Sequence, residues 1–167
     1  PARRKIHRLP ELLRVARRAR AKRRIIVFTT GCFDLLHAGH VTLLERARRL
    51  GDLLIVGINS DRSVRALKGP GRPVVPARDR ALLLAALESV DYVTIFDGAT
   101  PQRLLERLQP HILVKGADWG VREIVGADVV RRSGGRTVRF PLVQGRSTSS
   151  LMARIQRQSL KAQGSRL

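Results

Sequence analysis

The sequence predicts an α/β fold in which a parallel sheet is covered by helices on both faces. Short apolar segments of strand length alternate along the chain with longer segments that have helical periodicity. The apolar segments contain few polar residues, which is typical of strands that are buried on both faces. The length of 167 residues, with 43% hydrophobic residues, suits one domain of ordinary size and leaves little room for a second.

The first half of the chain predicts two strands, with one helix before them and one between them. Residues 10–22 have apolar side chains at helical spacing, with arginines on the other side, so we expect an amphipathic helix. A β-branched and aromatic run predicts a buried strand over 25–29, and helical periodicity returns over 41–50. A second buried strand over 53–58 is followed by three good helix-capping residues, Asn59, Ser60 and Asp61.

The second half continues this alternation after a loop, which glycine and proline residues predict over 69–76. Further helices and short apolar strands follow it. The predicted helices cover residues 78–89, 101–108 and 147–158, and the predicted strands cover residues 92–96, 112–115 and 137–140. In a sheet of this kind, ligands bind beyond the carboxyl ends of the strands.

The positive charge of the chain is concentrated at its two ends. The formal net charge is +20; residues 1–24 hold eleven basic residues and one acidic residue, and residues 151–167 hold four basic residues and no acidic one. We therefore expect a basic N-terminal extension with an amphipathic helix over 1–24, a central domain over 25–158 and a basic C-terminal tail over 159–167. Basic ends also raise the alternative of nucleic-acid binding. Few aromatic residues and no recognition motif accompany them, so we expect no such binding at physiological salt.

Composition also bears on the compartment. The longest unbroken apolar run, residues 81–87, is far shorter than the roughly 18 residues of a membrane span. No charged-then-apolar signal peptide opens the chain. The single cysteine, Cys32, forms no internal disulfide and fits a reducing cytoplasm, which is the location we expect.

A histidine-containing turn follows the first predicted strand. His37 and His40 are three residues apart, so on one helical turn they face the same way. Gly39, between them, lets a bulky group approach the backbone closely. Because a helix N-terminus attracts negative charge, two imidazoles at this place predict a site for an anion.

This turn resembles a known signature. Gly31-Cys32-Phe33-Asp34 followed by His37-Ala38-Gly39-His40 is similar to the His-x-Gly-His signature of the nucleotidyltransferase superfamily, and Ser147-Thr148-Ser149-Ser150 is similar to its second signature. The resemblance implies the nucleotidyltransferase fold, a Rossmann-like doubly wound sheet of five parallel strands with flanking helices. It makes residues 25–158 the nucleotidyltransferase domain.

Further matches narrow the resemblance to one family, the D-glycero-β-D-manno-heptose 1-phosphate adenylyltransferases, which are often the C-terminal half of bifunctional ADP-heptose synthases. The similarity covers about residues 10–157 and includes Leu67-Lys68-Gly69, Arg72-Pro73-Val74, Arg80, Leu87-Glu88-Ser89-Val90-Asp91-Tyr92-Val93, Thr100-Pro101, Leu113-Val114-Lys115-Gly116-Ala117-Asp118-Trp119 and Glu123-Ile124-Val125-Gly126. It implies an enzyme that joins AMP from ATP to a sugar 1-phosphate, giving ADP-heptose and pyrophosphate for lipopolysaccharide or another heptose-containing glycan. It also implies Mg²⁺ with ATP, a homodimer, and either a stand-alone transferase or an excised domain.

Some positions depart from the family pattern. Thr29-Thr30 stands where Thr-Asn is usual, and Arg146 stands where a small residue is usual. The related glycerol-phosphate cytidylyltransferases carry an arginine where this chain has Leu142, which favours ATP over CTP. A polyol-phosphate cytidylyltransferase and an FAD synthetase of the same superfamily stay open as alternatives.

The residues and the resemblance together predict the roles in the site. We expect His37, His40 and Lys68 to be catalytic, and no protein side chain to hold a metal. The predicted nucleotide and phosphate ligands are Thr30, Gly31, Cys32, Phe33, Gly39, Arg72, Arg80, Lys115, Ser147, Thr148 and Ser149. The predicted substrate ligands are Asp34, Asn59, Asp118 and Trp119. Asp34 has the alternative role of holding the turn through backbone hydrogen bonds, Ser60 and Asp61 are expected to cap a helix, and His111 is expected to be structural.

Overall fold

The computed structural model describes residues 1–116, 124–141 and 148–164, with side chains up to residue 159. Five parallel strands form one sheet in the order β3-β2-β1-β4-β5. The strands are β1 (Ile26–Gly31), β2 (Leu53–Asn59), β3 (Tyr92–Phe96), β4 (Ile112–Gly116) and β5 (Arg136–Phe140). All five begin and end within two residues of their predicted bounds, and the predicted fold class is confirmed.

Helices connect the strands. They are α1 (Leu9–Ala21), α2 (Ala38–Arg48), α3 (Asp61–Lys68), α4 (Ala77–Ala86), α5 (Gln102–Leu108), α6 (Ala127–Arg132) and α7 (Thr148–Gly164). The sequence did not predict α6, because six residues are too few to show helical periodicity. Among the described helices, none combines the length and the apolar character that crossing a membrane requires.

Helix α4 ends three residues before its predicted end at residue 89. Leu87 has extended backbone angles, so the chain leaves the helix there. The Lys5 ammonium donates hydrogen bonds to the carbonyl oxygens of Leu87 and Val90, at 3.0 and 2.7 Å. These bonds fix the N-terminal segment to the turn that follows α4.

Each face of the sheet has its own hydrophobic core, as expected for a doubly wound fold. Successive strand residues point to opposite faces, so Phe28 packs on one side and Val27 on the other. The Phe28 side is covered by α1, α5 and α6, and the Val27 side by α2 and α4.

The N-terminal segment lies on the same sheet. In α1, Leu12 and Ala16 are fully buried against the core that contains Phe28. Before α1, Ile6 forms a parallel bridge with Val93 of β3. The predicted division of the chain at residues 24 and 158 stays a prediction. The predicted N-terminal extension, residues 1–24, packs on the same hydrophobic core as the strands of the central domain.

The strand order creates a crevice between β1 and β4. The chain moves from β1 to β2 and β3 on one side of the sheet and then crosses to β4 and β5 on the other. Ligands of open α/β sheets bind at such a switch point, beyond the carboxyl ends of the strands. Here those ends carry Thr30 on β1 and Lys115 on β4, and the histidine-containing turn follows β1 directly.

Candidate active site

The turn after β1 has a constrained backbone. Phe33 adopts a φ of +47°, in the left-handed region that side chains other than glycine seldom occupy. A Cβ atom on Gly31 would lie 3.0 Å from the Phe33 ring, so glycine gives this ring the space it occupies. A backbone in this region costs on the order of 1–3 kcal/mol and persists only where its surroundings hold it, often at functional sites.

His37 and His40 form a stacked pair at the start of α2. His37 is the residue that caps the helix, and its ring lies 3.8 Å from the ring of His40, centroid to centroid, at an angle of 24°. The backbone N–H of His37 donates to Nδ1 of His40 at 3.4 Å. The Phe33 ring packs against His40 at 5.0 Å. The predicted same-side placement of the two histidines is therefore present.

His40 is a neutral hydrogen-bond donor at physiological pH. Burial lowers its pKa to about 4, with a further contribution from the neighbouring His37. Because Nδ1 accepts the His37 N–H, the proton of the neutral ring lies on Nε2. The ring thus presents one N–H donor without carrying a charge.

The lowered pKa of His40 predicts a pH-dependent stability. An unfolded histidine binds a proton below about pH 6.5, whereas folded His40 stays neutral down to about pH 4. The unfolded state therefore binds more protons between these values, so the free energy of unfolding should fall as the pH drops from 6.5 to 4. The contribution of His40 should reach about 3 kcal/mol, at roughly 1.4 kcal/mol per pKa unit.

Urea unfolding of the wild type and of His40→Asn across this pH range measures the effect, because titrating groups that do not interact with His40 cancel in the difference. The asparagine variant should lose less stability on acidification than the wild type. Equal losses in the two proteins would show that His40 has an ordinary pKa.

Asp34 holds the loop that precedes α4. Its side chain is only 1% exposed, and its carboxylate accepts hydrogen bonds from Arg72 Nε at 2.6 Å and from the backbone N–H groups of Val74 and Val75 at 2.8 and 2.9 Å. Burial alone would raise the pKa of Asp34, but these three hydrogen bonds hold it below its ordinary value. The structure thus corrects the predicted substrate contact of Asp34. It also differs from the alternative role, because the carboxylate binds a loop 38 to 41 residues further along the chain rather than its own turn.

Arg80 is part of the protein interior. The side chain is 0% exposed and donates to the carbonyl oxygens of Val75 and Cys32, at 2.8 and 2.5 Å, and to Oδ1 of Asp61 at 2.7 Å. A guanidinium in this position has no surface on which to meet a phosphate. The structure therefore corrects the prediction that Arg80 binds phosphate: it joins the turn after β1, the loop before α4 and the start of α3.

Asn59 is also committed to internal contacts. It is 6% exposed at the end of β2, and its amide donates to Ser63 Oγ at 2.9 Å. Ser63 Oγ in turn donates to the Gly98 carbonyl at 2.6 Å. This corrects the predicted substrate contact of Asn59, because its side chain links the ends of β2 and β3 instead.

The two expected capping residues act on different helices. Ser60 accepts a hydrogen bond from the Ser63 N–H at 3.1 Å and so caps α3 as predicted. Asp61 accepts from the N–H of Ala77 at 2.8 Å and therefore satisfies the start of α4, sixteen residues further along the chain. The sequence signal for a cap was present, but it did not identify which helix Asp61 would serve.

His111 is structural as predicted, since its Nδ1 accepts from the Ile26 N–H at 2.9 Å.

Two of the predicted cations lie close to the turn after β1. Lys68 is the exposed last residue of α3, and Arg72 follows it in the loop before α4. Burial raises the pKa of the Cys32 thiol, although Lys68, Arg80 and Arg72 all lie near enough to favour its ionised form. The structure thus brings Lys68 and Arg72 to the same region as the histidine pair.

The remaining described site residues come from β1, β4 and α7. Lys115 Nζ hydrogen-bonds to Thr30 Oγ1 and to the Thr30 carbonyl across the β1–β4 crevice. Thr148 Oγ1, at the first residue of α7, donates to the Leu35 carbonyl at 3.5 Å, and Ser149 is exposed beside it. The predicted site residues Ser147, Asp118 and Trp119 lie outside the described residues, as do Leu142 and Arg146.

A separate cavity of about 450 Å³ opens between the end of β3 and α5. It is lined by Leu9 and by residues 94–100 and 102–104, none of which has a predicted role. The described candidate site is instead the open surface where the ends of β1 and β4 meet the starts of α2 and α7.

A doubly wound parallel sheet with paired histidines at its switch point is the arrangement of the nucleotidyltransferases, a class of α/β enzymes. A family model described as cytidylyltransferase-like matches residues 28–134. The chain belongs to this family, and the predicted superfamily is confirmed.

Curated relatives agree with the closer resemblance. The chain is 57% identical over 133 residues to the "Bifunctional protein HldE" of Magnetococcus marinus, which covers 80% of this chain and 27% of that protein. It is 52% identical over 147 residues to the protein of the same name from Syntrophotalea carbinolica, covering 88% of this chain and 29% of that protein. The chain thus spans less than a third of the length of these relatives.

Solved structures support the fold. One is described as the lipopolysaccharide core biosynthesis protein from Thermoplasma volcanium; it has a TM-score of 0.60 and 25% identity, and covers 72% of this chain and 97% of that one. Pantoate-beta-alanine ligase from Francisella tularensis has a TM-score of 0.56 and 16% identity, covering 86% of this chain and 68% of that one. At this identity the second likeness concerns the fold alone.

Proposed function

We propose that this chain transfers AMP from ATP to a heptose 1-phosphate, D-glycero-β-D-manno-heptose 1-phosphate, with release of pyrophosphate. The observation that carries the transfer chemistry is the stacked pair of His37 and His40 at the start of α2, beside the switch point of the sheet. The choice of a heptose rests on the relatives named HldE, which are about 50% identical to this chain over most of its length. The product is an ADP-heptose for lipopolysaccharide or another heptose-containing glycan.

The reaction is attack by an oxygen of the sugar phosphate on the α-phosphorus of ATP, with the bond to the β-phosphate oxygen breaking. A phosphate nucleophile is already ionised at neutral pH, so no general base is required. The protein must bring two anions together and stabilise the charge that builds on the α-phosphate and on the leaving pyrophosphate. Neutral His40 donates through its Nε2–H, and His37 lies stacked on it at the helix start, where an anion is favoured.

Mg²⁺ enters this proposal as part of the substrate MgATP. Among the described residues, no group of three or more His, Cys, Asp or Glu side chains has an arrangement that would hold a metal ion. The two nearby carboxylates, Asp34 and Asp61, accept hydrogen bonds from the protein. The ion would be held by phosphate oxygens and water, as Mg²⁺ commonly is in nucleotide sites, and would neutralise charge on the triphosphate.

Other groups complete the proposed site. Lys68 at the end of α3 and Arg72 in the loop before α4 bind the triphosphate, and this loop shields the phosphates from water. Thr30 with Lys115, and Thr148 with Ser149 at the start of α7, contribute donors at the crevice. Gly31, Cys32, Phe33 and Gly39 supply backbone around the phosphates, while Ser147, Asp118 and Trp119 keep their predicted roles.

The proposal extends to the setting of the enzyme. It acts in the cytoplasm, where ATP and sugar phosphates are available, and as a homodimer. Nucleic acid is not a partner at physiological salt.

The nucleotide preference is testable by pyrophosphate release with ATP and with CTP, each against a panel of sugar and polyol phosphates. With heptose 1-phosphate, ATP should give a higher kcat/KM than CTP. Glycerol 3-phosphate and riboflavin phosphate serve as acceptors for the two related reactions. Faster turnover with CTP and a polyol phosphate would instead establish a cytidylyltransferase, and FAD formation would establish an FAD synthetase.

A further inference from the structure

The Asp34 carboxylate is positioned entirely by the loop before α4. Oδ1 accepts two backbone N–H groups, from Val74 and Val75, and Oδ2 accepts the Nε–H of Arg72. At 1% exposure the carboxylate has almost no contact with solvent. A buried carboxylate is costly unless it is paired and hydrogen-bonded, and these contacts meet that requirement.

Arg72 uses only part of its hydrogen-bonding capacity in this contact. A guanidinium has five N–H donors, one on Nε and four on its two Nη atoms. In the part of the chain that the structure describes, Arg72 makes its hydrogen bond through Nε, to Asp34, and none through the Nη atoms. The side chain is 15% exposed, so it retains some contact with solvent. The edge formed by the two Nη atoms has the geometry that binds a phosphate in bidentate fashion.

We propose that Asp34 is a positioning residue for nucleotide binding, which orients Arg72 so that its Nη edge meets the phosphates of the nucleotide. This inference rests on the proposed function, because that function makes Arg72 a phosphate ligand. Asp34 lies three residues before His37, on the same turn that carries the histidine pair. A single buried carboxylate therefore sets the loop cation at a fixed place relative to the histidines.

The energetic benefit is preorganisation. A long, flexible arginine in a loop of glycine and proline residues loses conformational freedom when it binds an anion. In this structure contacts within the protein itself restrict Arg72, through its bond to Asp34, and restrict the adjacent loop, through the two backbone bonds to the same carboxylate. A cation held in its bound orientation gives tighter binding than the same cation on a mobile side chain.

Asp34→Asn is the informative variant. The asparagine oxygen still accepts the Val74 and Val75 N–H groups, whereas its amide nitrogen, as a donor, opposes Arg72 Nε–H. We expect the dissociation constant of MgATP, measured by calorimetry without a sugar acceptor, to rise by about 10- to 100-fold, the range of one charge-assisted hydrogen bond. Asp128→Asn is the matched control, because it removes the acid of an exposed Asp128–Arg132 pair on α6 and should bind ATP normally.

A double-mutant cycle separates positioning from simple support of the loop. Arg72→Ala should weaken MgATP binding by a similar factor, and Asp34→Asn combined with Arg72→Ala should be no weaker than Arg72→Ala alone. Arg72→Lys keeps the charge, but a lysine cannot hydrogen-bond to Asp34 and also bind a phosphate in bidentate fashion. The Arg72→Lys protein should therefore bind MgATP about as weakly as Asp34→Asn. If the rise in the MgATP dissociation constant of the double mutant equals the product of the rises in the two single mutants, the inference is overturned. Normal MgATP binding by a folded Asp34→Asn protein with a lowered Tm would also overturn it.

These measurements do not depend on the sugar. If wild type binds MgATP and the cycle behaves as expected but no heptose 1-phosphate is converted, the proposed acceptor is wrong and the role of Asp34 stands. If wild type binds CTP in place of ATP, the same cycle with CTP decides the role of Asp34. Absence of binding to either nucleotide would contradict both proposals.

Discussion

Replacing His40 by asparagine should lower kcat by about 10²–10³-fold while the protein stays folded, because the loss of one transition-state hydrogen-bond donor typically has an effect of this size. The asparagine oxygen takes over the acceptor role of Nδ1 toward the His37 N–H, so the start of α2 keeps that contact. What the variant lacks is the Nε2–H donor. His37→Ala should lower kcat by a similar factor, since both rings are proposed to stabilise the charge that builds on the phosphate oxygens in the transition state.

His40→Gln provides a second comparison, because a glutamine amide reaches close to the position of Nε2 and can donate from there. It should retain more activity than His40→Asn. The control is His111→Asn, which replaces a histidine whose Nδ1 supports the Ile26 N–H and takes no part in the proposed site. A folded His40→Asn protein with nearly full kcat would remove the histidine pair from the mechanism.

The elements that the sequence predicted well are those whose signal is local. The central strands β1, β2 and β4 appear as short apolar runs because most of their residues are buried on both faces. The partly buried strand β3 also has its predicted bounds, Tyr92–Phe96. The position of the histidine pair was also predictable, since the spacing of His37 and His40 fixes their relative placement once a helix begins between them. The six-residue helix α6 gave no comparable signal.

The roles of charged and polar side chains were less predictable, because they depend on partners that are distant in the sequence. Arg72 and Arg80 both lie in or after the same loop, and both matched the family pattern. Their surroundings differ: Arg72 pairs with Asp34 through one nitrogen and retains 15% exposure, whereas Arg80 is fully buried. The partners of Arg80 lie as far as 48 residues away along the chain, and no periodicity reports such contacts.

The buried position of Arg80 predicts a large effect of its removal on the stability of the protein. Arg80→Ala should lower the free energy of unfolding by about 3–5 kcal/mol, because the Val75 and Cys32 carbonyls lose their donor, at roughly 1–3 kcal/mol each, and the deleted side chain was fully buried. The variant loses hydrogen bonds to Val75, Cys32 and Asp61 and leaves a cavity beneath the turn after β1. For a chain of this size the Tm should fall by roughly 6–20 °C. Thermal unfolding by circular dichroism gives the measurement.

Lys68→Ala should show the opposite pattern. Lys68 is exposed at the end of α3, so its removal should leave the Tm within a degree or two (about 0.5 kcal/mol or less for a surface position) while weakening the use of ATP.

Asp61→Asn offers a milder test of the Arg80 network. It keeps an oxygen acceptor for Ala77 N–H and for Arg80 but removes the charge, so its Tm should lie between those of wild type and Arg80→Ala. An Arg80→Ala protein that melts like wild type yet no longer binds MgATP would restore Arg80 as a phosphate ligand. Such a result would require the Arg80 side chain to leave its buried position when the nucleotide binds.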